Sequence, residues 1–263
     1  MSRTTSTTGR AAFLQLLVDE GVTHLFGNPG TTELAIMEVV PEFRQLDFVL
    51  GLQEASVVAM ADGYCRASGR LAAANVHVMP GLGNAMGALY NAKFSGSPVI
   101  LTAGQQEQGH GLLEPMLYEP LVQVAQPLVK WAVEVTRAAD LPRIIHRAAK
   151  IALTPPTGPV FLSLPGDVLD ESLEMDMGRP VRVSATSRPS DEVLNNILEL
   201  LLRAKHPAIL AGQELATRDA FAEAAELAEL LGAAVFQSSI PYCAQFPTEH
   251  PAFMGALTRQ QKQ

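Results

Sequence analysis

"RLAAANVHVMPGLGNAMGALYNAKFSGSPVILTAG", Arg70 to Gly104, begins and ends in apolar runs set one helix apart. The closing run, "SPVILTAG", is almost continuously apolar, as a strand buried on both faces of a parallel sheet must be. The opening run, "RLAAANVHVM", reads as a second strand. Between them, "PGLGN" reads as a tight loop and "AMGALYNAKFSG" as a helix. The result is one strand–helix–strand unit, and its rhythm continues in both directions.

Upstream, Phe13, Leu14, Leu17 and Val18 in "RAAFLQLLVDE" have helical spacing, and Gly21 ends that helix. "THLFG" is a short strand, and "NPGTTEL" is a loop leading into a helix near 32–41, with Thr31 or Thr32 as its cap. "LDFVLGL" is the next strand, followed by a helix that opens on Gln53 and Glu54. Downstream, "PLVKWAVEV" and "GPVFLSLP" supply two more strands, with a helix at 139–153 between them. Strands alternating with helices predict an α/β fold with an open, mainly parallel sheet flanked by helices. This first domain takes residues 1–180. The stretch 171–190 is polar and bears Pro and Ser, as a linker does. Residues 190–263 begin a second α/β domain with two clear strands, "PAILAG" and "AAVFQSS". Two strands are too few for a sheet, so the chain is expected to stop inside that domain, at "RQQKQ".

The chain has 263 residues, 48% of them hydrophobic, and a formal net charge of -8. Without a basic patch it is a poor nucleic-acid binder. Cys65 and Cys243 lie far apart and lack histidines at ligand spacing. That argues against a disulfide framework or a zinc site and fits a cytoplasmic protein. No apolar run is long enough to cross a membrane. The Ser/Thr-rich start, "MSRTTSTTGRAA", reads as a disordered tag rather than a transit peptide.

Four features carry candidate chemistry. Glu54 leans towards the apolar side of its helix, where a carboxylate is costly unless paired. Gly81 and Gly83 follow a strand and precede a helix, either as a loop that a ligand approaches or as a plain tight turn. Their spacing does not meet the dinucleotide or phosphate-loop patterns. His77 ends a strand, where open α/β sheets place their sites, and is either a proton carrier or a hydrogen-bonded core residue. Asn28, Pro29 and Gly30 form a turn at another strand end, with the Thr31 hydroxyl beside it. "GDV" at 166–168 and Asn195-Asn196 imitate a metal-and-diphosphate motif. Val168 stands where that motif needs a small residue, and the asparagines lie within a helix. No metal ligand is assigned.

Taken in order, "HLFGNPGTTEL" (24–34), "LQEASVVAMADGYCRASG" (52–69), "HVMPGLGNAMGALYNAKFSGSPVILTAGQQ" (77–106), "PLVKWAVEV" (127–135) and "GPVFLSLP" (158–165) make a specific set. Over roughly residues 10–257 the chain resembles the N-terminal part of thiamine-diphosphate-dependent 2-oxo acid decarboxylases and synthases. The likeness is strongest to the benzoylformate decarboxylase branch, with the acetohydroxyacid synthase branch next. The resemblance implies a pyrimidine-binding domain at 1–180, an incomplete central domain at 190–263, and an absent C-terminal diphosphate-binding domain. It implies a cofactor, thiamine diphosphate, of which this chain would meet only the pyrimidine half. Mg²⁺ would come through the absent domain, and FAD belongs only to the synthase alternative. It places Glu54 on the glutamate that hydrogen-bonds N1′ of the aminopyrimidine and promotes loss of the C2 proton. His77 falls on a histidine that handles protons, and Thr31 on a hydroxyl contacting the substrate carboxylate. Asn28, Pro29, Gly30, Gly81 and Asn84 fall on loops lining the cofactor. "VMPGLGN" departs from the synthase reading, and His77 also favours a decarboxylase. Partners would be a small 2-oxo acid and either a homo-oligomer or a chain supplying the diphosphate-binding domain. A non-catalytic remnant or assembly partner is the remaining alternative.

Overall fold

The computed structural model describes residues 4–184 and 186–257, in two units, Met1–Ala185 and Thr186–Gln263. The first unit runs β1 (Thr4–Thr8), α1 (Gly9–Asp19), β2 (His24–Asn28), α2 (Leu34–Val39), β3 (Asp47–Leu50), α3 (Glu54–Ser68), β4 (Ala72–Val76) and α4 (Val78–Ser95). It continues with β5 (Val99–Gln105), α5 (Leu121–Ala125), β6 (Ala132–Glu134), α6 (Leu141–Leu153), β7 (Val160–Pro165), α7 (Gly166–Asp170) and β8 (Ser172–Asp176). Six strands form one sheet in the order β3-β2-β4-β5-β7-β6, and every neighbouring pair is parallel. Ala73 and Ile100 point into one core with residues of α1 and α6. Ala74, Val76 and Leu101 point into the opposite core with residues of α3 and α4. Two covered faces explain why these strands are apolar at successive positions rather than at alternate ones.

The strand order fixes the site's place. After β2 the chain lays β3 on one side, then crosses to lay β4 on the other. Between β2 and β4 the connections leave in opposite directions. That crevice, outside the carboxyl ends of the strands, is where open α/β sheets bind ligands.

Three local expectations are corrected. "PGLGN" is not a loop, because α4 begins at Val78 and runs through it. Pro80 falls in the first turn, where a missing N–H costs no helical hydrogen bond. The Ser/Thr-rich start is not a free tag over its described part, and the stretch 171–190 is not wholly a linker. Thr4–Thr8 pairs antiparallel with Ser172–Asp176, Thr8 opposite Ser172. Residues 1–3 of that start lie outside the described residues. The segment after β8 is also held. Buried Glu20 hydrogen-bonds His146 Nδ1 at 2.5 Å and pairs with Arg182, and the other His146 ring nitrogen lies 2.8 Å from the Met177 carbonyl. Gly21, at φ +83°, follows α1 as anticipated.

The second unit contains α8 (Asp191–Arg203), β9 (Ala208–Ala211), α9 (Glu214–Thr217), α10 (Phe221–Leu231), β10 (Ala234–Gln237) and β11 (Phe253–Ala256). Its sheet has three parallel strands, β11-β10-β9, one more than the sequence displayed. Asn195 and Asn196 lie within α8, as expected. The "RQQKQ" end lies outside the described residues. Among the described residues, no helix is long and apolar enough to cross a membrane, and no group of three or more His, Cys, Asp or Glu is placed to hold a metal.

Cys65 sits in the α3 side of the core, and its Sγ reaches the Pro98 carbonyl at 3.4 Å. Burial, with a smaller push from Asp62, raises its thiol to about 12, against a lowering by its hydrogen bond with the Ala72 backbone. Only the thiolate attacks thiol reagents. In mildly alkaline buffer Cys243, which is partly exposed, is expected to react quickly, and Cys65 only after unfolding. Two equally fast thiols in the native protein would contradict this packing.

Candidate functional site

Glu54 is the first residue of α3, and the question of why an apolar helix opens on Gln53 and Glu54 has a local answer. Gln53 is the N-cap, its Oε1 accepting the Ser56 N–H at 3.1 Å. Glu54 then stands at the helix N-terminus, where its negative charge is favoured. Its side chain is buried, yet both carboxylate oxygens are satisfied. Asn28 Nδ2 donates to Oε1 at 3.1 Å, and Asn84 Nδ2 donates to Oε2 at 3.0 Å. Asn28 closes β2, and Asn84 lies on α4, so three elements converge on one carboxylate. Gly81 belongs to the same cluster. A Cβ there would lie 3.2 Å from Val76 and 3.3 Å from Glu54 Oε1. The glycine therefore keeps space open beside the carboxylate.

A second cluster surrounds His77, the residue between β4 and α4. Its Nδ1 lies 2.8 Å from Glu33 Oε2 and 3.3 Å from Thr32 Oγ1. Glu33 is fully buried and was not singled out in the sequence. Its Oε2 also accepts the Gly30 N–H at 2.9 Å. Its Oε1 accepts the Thr32 hydroxyl at 2.7 Å and the Gly104 N–H at 2.9 Å. Two glycines make room for this network. A Cβ on Gly30 would lie 2.2 Å from the His77 ring, and one on Gly104 would lie 2.2 Å from Glu33 Oε1. Val78, directly after His77, holds φ at +39°. For a β-branched residue that backbone costs about 1–3 kcal/mol and persists only where the surroundings enforce it.

The site residues named from sequence thus fall in three places. Asn28, Glu54, Gly81 and Asn84 form one cluster. Gly30 and His77 form the second, with Pro29 in the turn that leads from Asn28 to Gly30. Thr31 is exposed and lines a cleft of about 500 Å³ with Arg10, Thr32, Gln105, Gln106 and Asp170. Neither Thr31 nor Thr32 caps α2. Gly30 opens the 3₁₀ turn Thr31–Glu33, and the Glu33 carboxylate takes the Gly30 N–H. A signal for Glu33 was present. An acid three residues after Gly30 has the spacing of a capping box, and it precedes an apolar run.

Comparison with known proteins gives the family. Residues 7–121 match the thiamine pyrophosphate enzyme N-terminal TPP binding domain, and residues 194–263 match the central domain of the same enzymes. Benzoylformate decarboxylase of Pseudomonas aeruginosa is 38% identical over 95% of this chain and 48% of its own length. The acetolactate synthase isozyme 3 large subunit of Escherichia coli is 28% identical over 95% of this chain and 44% of its own. The structure of a thiamine diphosphate-dependent 4-hydroxybenzoylformate decarboxylase from Rhodococcus jostii RHA1 superposes with a TM-score of 0.87 at 38% identity. It covers 95% of this chain and 48% of that one. The chain spans about half the length of the relatives it matches. With an N-terminal and a central domain matched in that order, on a fold shared with a solved enzyme of the same kind, the chain belongs to the thiamine pyrophosphate enzyme family.

Proposed function

We propose that this chain provides the pyrimidine-binding side of a thiamine diphosphate-dependent 2-oxo acid decarboxylase of the benzoylformate decarboxylase kind. The observation that carries the reading is the Glu54 carboxylate, held by Asn28 and Asn84 at the switch point of the sheet. The residues fit the aminopyrimidine half of the cofactor. A buried carboxylate can engage a ring nitrogen, and Gly81 leaves space beside it. Asn28, Pro29, Gly30, Gly81 and Asn84 would line the ring. When bound, the cofactor supplies an electron sink for the pair left as CO₂ departs. Glu54 shares a proton with the pyrimidine N1′, and its two asparagine donors fix the carboxylate plane for that exchange. His77 handles protons at the reacting carbon, and the Thr31 hydroxyl contacts the substrate carboxylate. The diphosphate and Mg²⁺ would be held by a diphosphate-binding domain outside residues 1–263.

The product separates this reading from a synthase. A chain completed with a diphosphate-binding domain is expected to release aldehyde and CO₂ from benzoylformate. Acetolactate formed from pyruvate as the main product would favour the acetohydroxyacid synthase alternative instead. Calorimetry of the isolated chain with thiamine diphosphate and Mg²⁺ is expected to show no tight binding, and assays no turnover. Strong activity from this chain alone would overturn that division of labour.

A further inference from the structure

We propose that Glu33 is a positioning residue for His77, fixing a hydrogen on Nδ1 so that every proton the ring exchanges passes through Nε2. The inference deepens the proposed function and rests on its placement of His77 at the reacting centre.

The hydrogen-bond network decides which nitrogen carries the hydrogen. Glu33 Oε2 lies 2.8 Å from Nδ1, and a carboxylate oxygen accepts but does not donate. Nδ1 must therefore be the donor. The Thr32 hydroxyl does not supply that hydrogen, since it donates its own to Glu33 Oε1 at 2.7 Å. The other two partners of Glu33, the Gly30 and Gly104 N–H groups, are donors as well. Each carboxylate oxygen thus receives two hydrogen bonds, and the imidazole provides one of the four. A neutral ring in this setting has its lone pair on Nε2. When that lone pair takes a proton, the Nδ1–H bond to Glu33 is unchanged. The proton given to an acceptor is then the one on Nε2, and the ring returns to the same tautomer.

A purely architectural Glu33 would need only its backbone and Thr32 donors, which already join the turn after β2 to β5. The ring's placement points to more than that. Among the described residues, the hydrogen-bond partners of the His77 ring all lie on Nδ1. The side chain is 23% exposed, against 0% for Glu33. Gly30 lacks the Cβ that would displace the ring, and Val78 holds a strained backbone immediately after it. A neighbouring carboxylate that fixes one ring nitrogen and so selects the tautomer is a general way to prepare a catalytic histidine.

The test is nitrogen NMR of the full chain labelled with ¹⁵N-histidine, with the His77 signals identified by their loss in His77→Asn. The wild-type neutral ring is expected to show a protonated Nδ1 and an unprotonated Nε2. Glu33→Leu removes the acceptor beside Nδ1, so its neutral His77 is expected to shift towards the tautomer with the hydrogen on Nε2, the one free histidine prefers. Glutamine would not serve, because its amide oxygen can still face Nδ1 and accept. A wild-type ring protonated on Nε2 would overturn the inference, even if Glu33→Leu does not fold. So would a Glu33→Leu protein whose tautomer is unchanged. The readout involves neither cofactor nor turnover. Failure of the cofactor reading would instead show as full activity without the Glu54 carboxylate, and so remains distinguishable.

Discussion

Replacing Glu54 by glutamine is expected to remove nearly all turnover while leaving the fold intact. The assay uses the chain completed with a diphosphate-binding domain. Glutamine keeps the shape of glutamate but cannot share a proton with a ring nitrogen as a carboxyl group does. Loss of a positioned proton-transfer group costs about 10²–10⁴-fold in rate. The structural cost is small for a specific reason. Asn28 and Asn84 both donate to the Glu54 carboxylate, so a glutamine amide meets one of them donor to donor. That asparagine can turn its amide over and accept instead. The penalty is then about one hydrogen bond, roughly 1 kcal/mol. The melting curve should move little while activity collapses. A Glu54→Gln enzyme with normal turnover would remove Glu54 from the chemistry. One that fails to fold would show that the carboxylate is architectural first.

The sheet was legible in the sequence because burial on both faces leaves a plain trace. "SPVILTAG" and "GPVFLSLP" are apolar at nearly every position, and both are strands of the parallel sheet. Legibility failed where the site overrides local preference. Pro80, Gly81 and Gly83 mark a turn by the usual rules, yet they occupy the first two turns of α4. Gly81 is there because a side chain would press on Glu54 and Val76. The pairing of Thr4–Thr8 with Ser172–Asp176 escaped for another reason. Two short polar segments far apart in the chain give no periodic signal, and their register exists only once the domain has closed. The short strand Phe253–Ala256 was obscured by Gly255, whose φ of +96° is unusual for a strand. Of the candidate site, the residues carrying the family motifs could be named in advance. The capping-box spacing of Glu33 was visible, but its hold on His77 was not, because that depends on four donors brought together from the turn, from β5 and from His77.

Those donors lead to the second large effect. The same substitution, glycine to alanine, is expected to act in opposite directions at Gly104 and Gly63. At Gly104 the added Cβ would lie 2.2 Å from Glu33 Oε1 and 2.5 Å from Thr32 Oγ1. The end of a glutamate usually swings away at little cost, but this one is held by four hydrogen bonds, one of them from the Gly104 N–H itself. Moving the carboxylate breaks the bonds that satisfy a fully buried acid. A buried charge stripped of its partners typically costs about 3–5 kcal/mol. Gly63 lies inside α3, is exposed, and has nothing within 4 Å of its ideal Cβ. Alanine there restricts the unfolded chain and favours the helix, for a gain of about 0.5–1 kcal/mol. Trp131 is the single tryptophan and belongs to the first unit, so its fluorescence during urea unfolding follows the unit that contains both positions. Gly104→Ala should move the midpoint far down and Gly63→Ala slightly up. If both variants unfold together with the parent protein, the carboxylate of Glu33 is free to move, and a mobile acid cannot fix the hydrogen on His77.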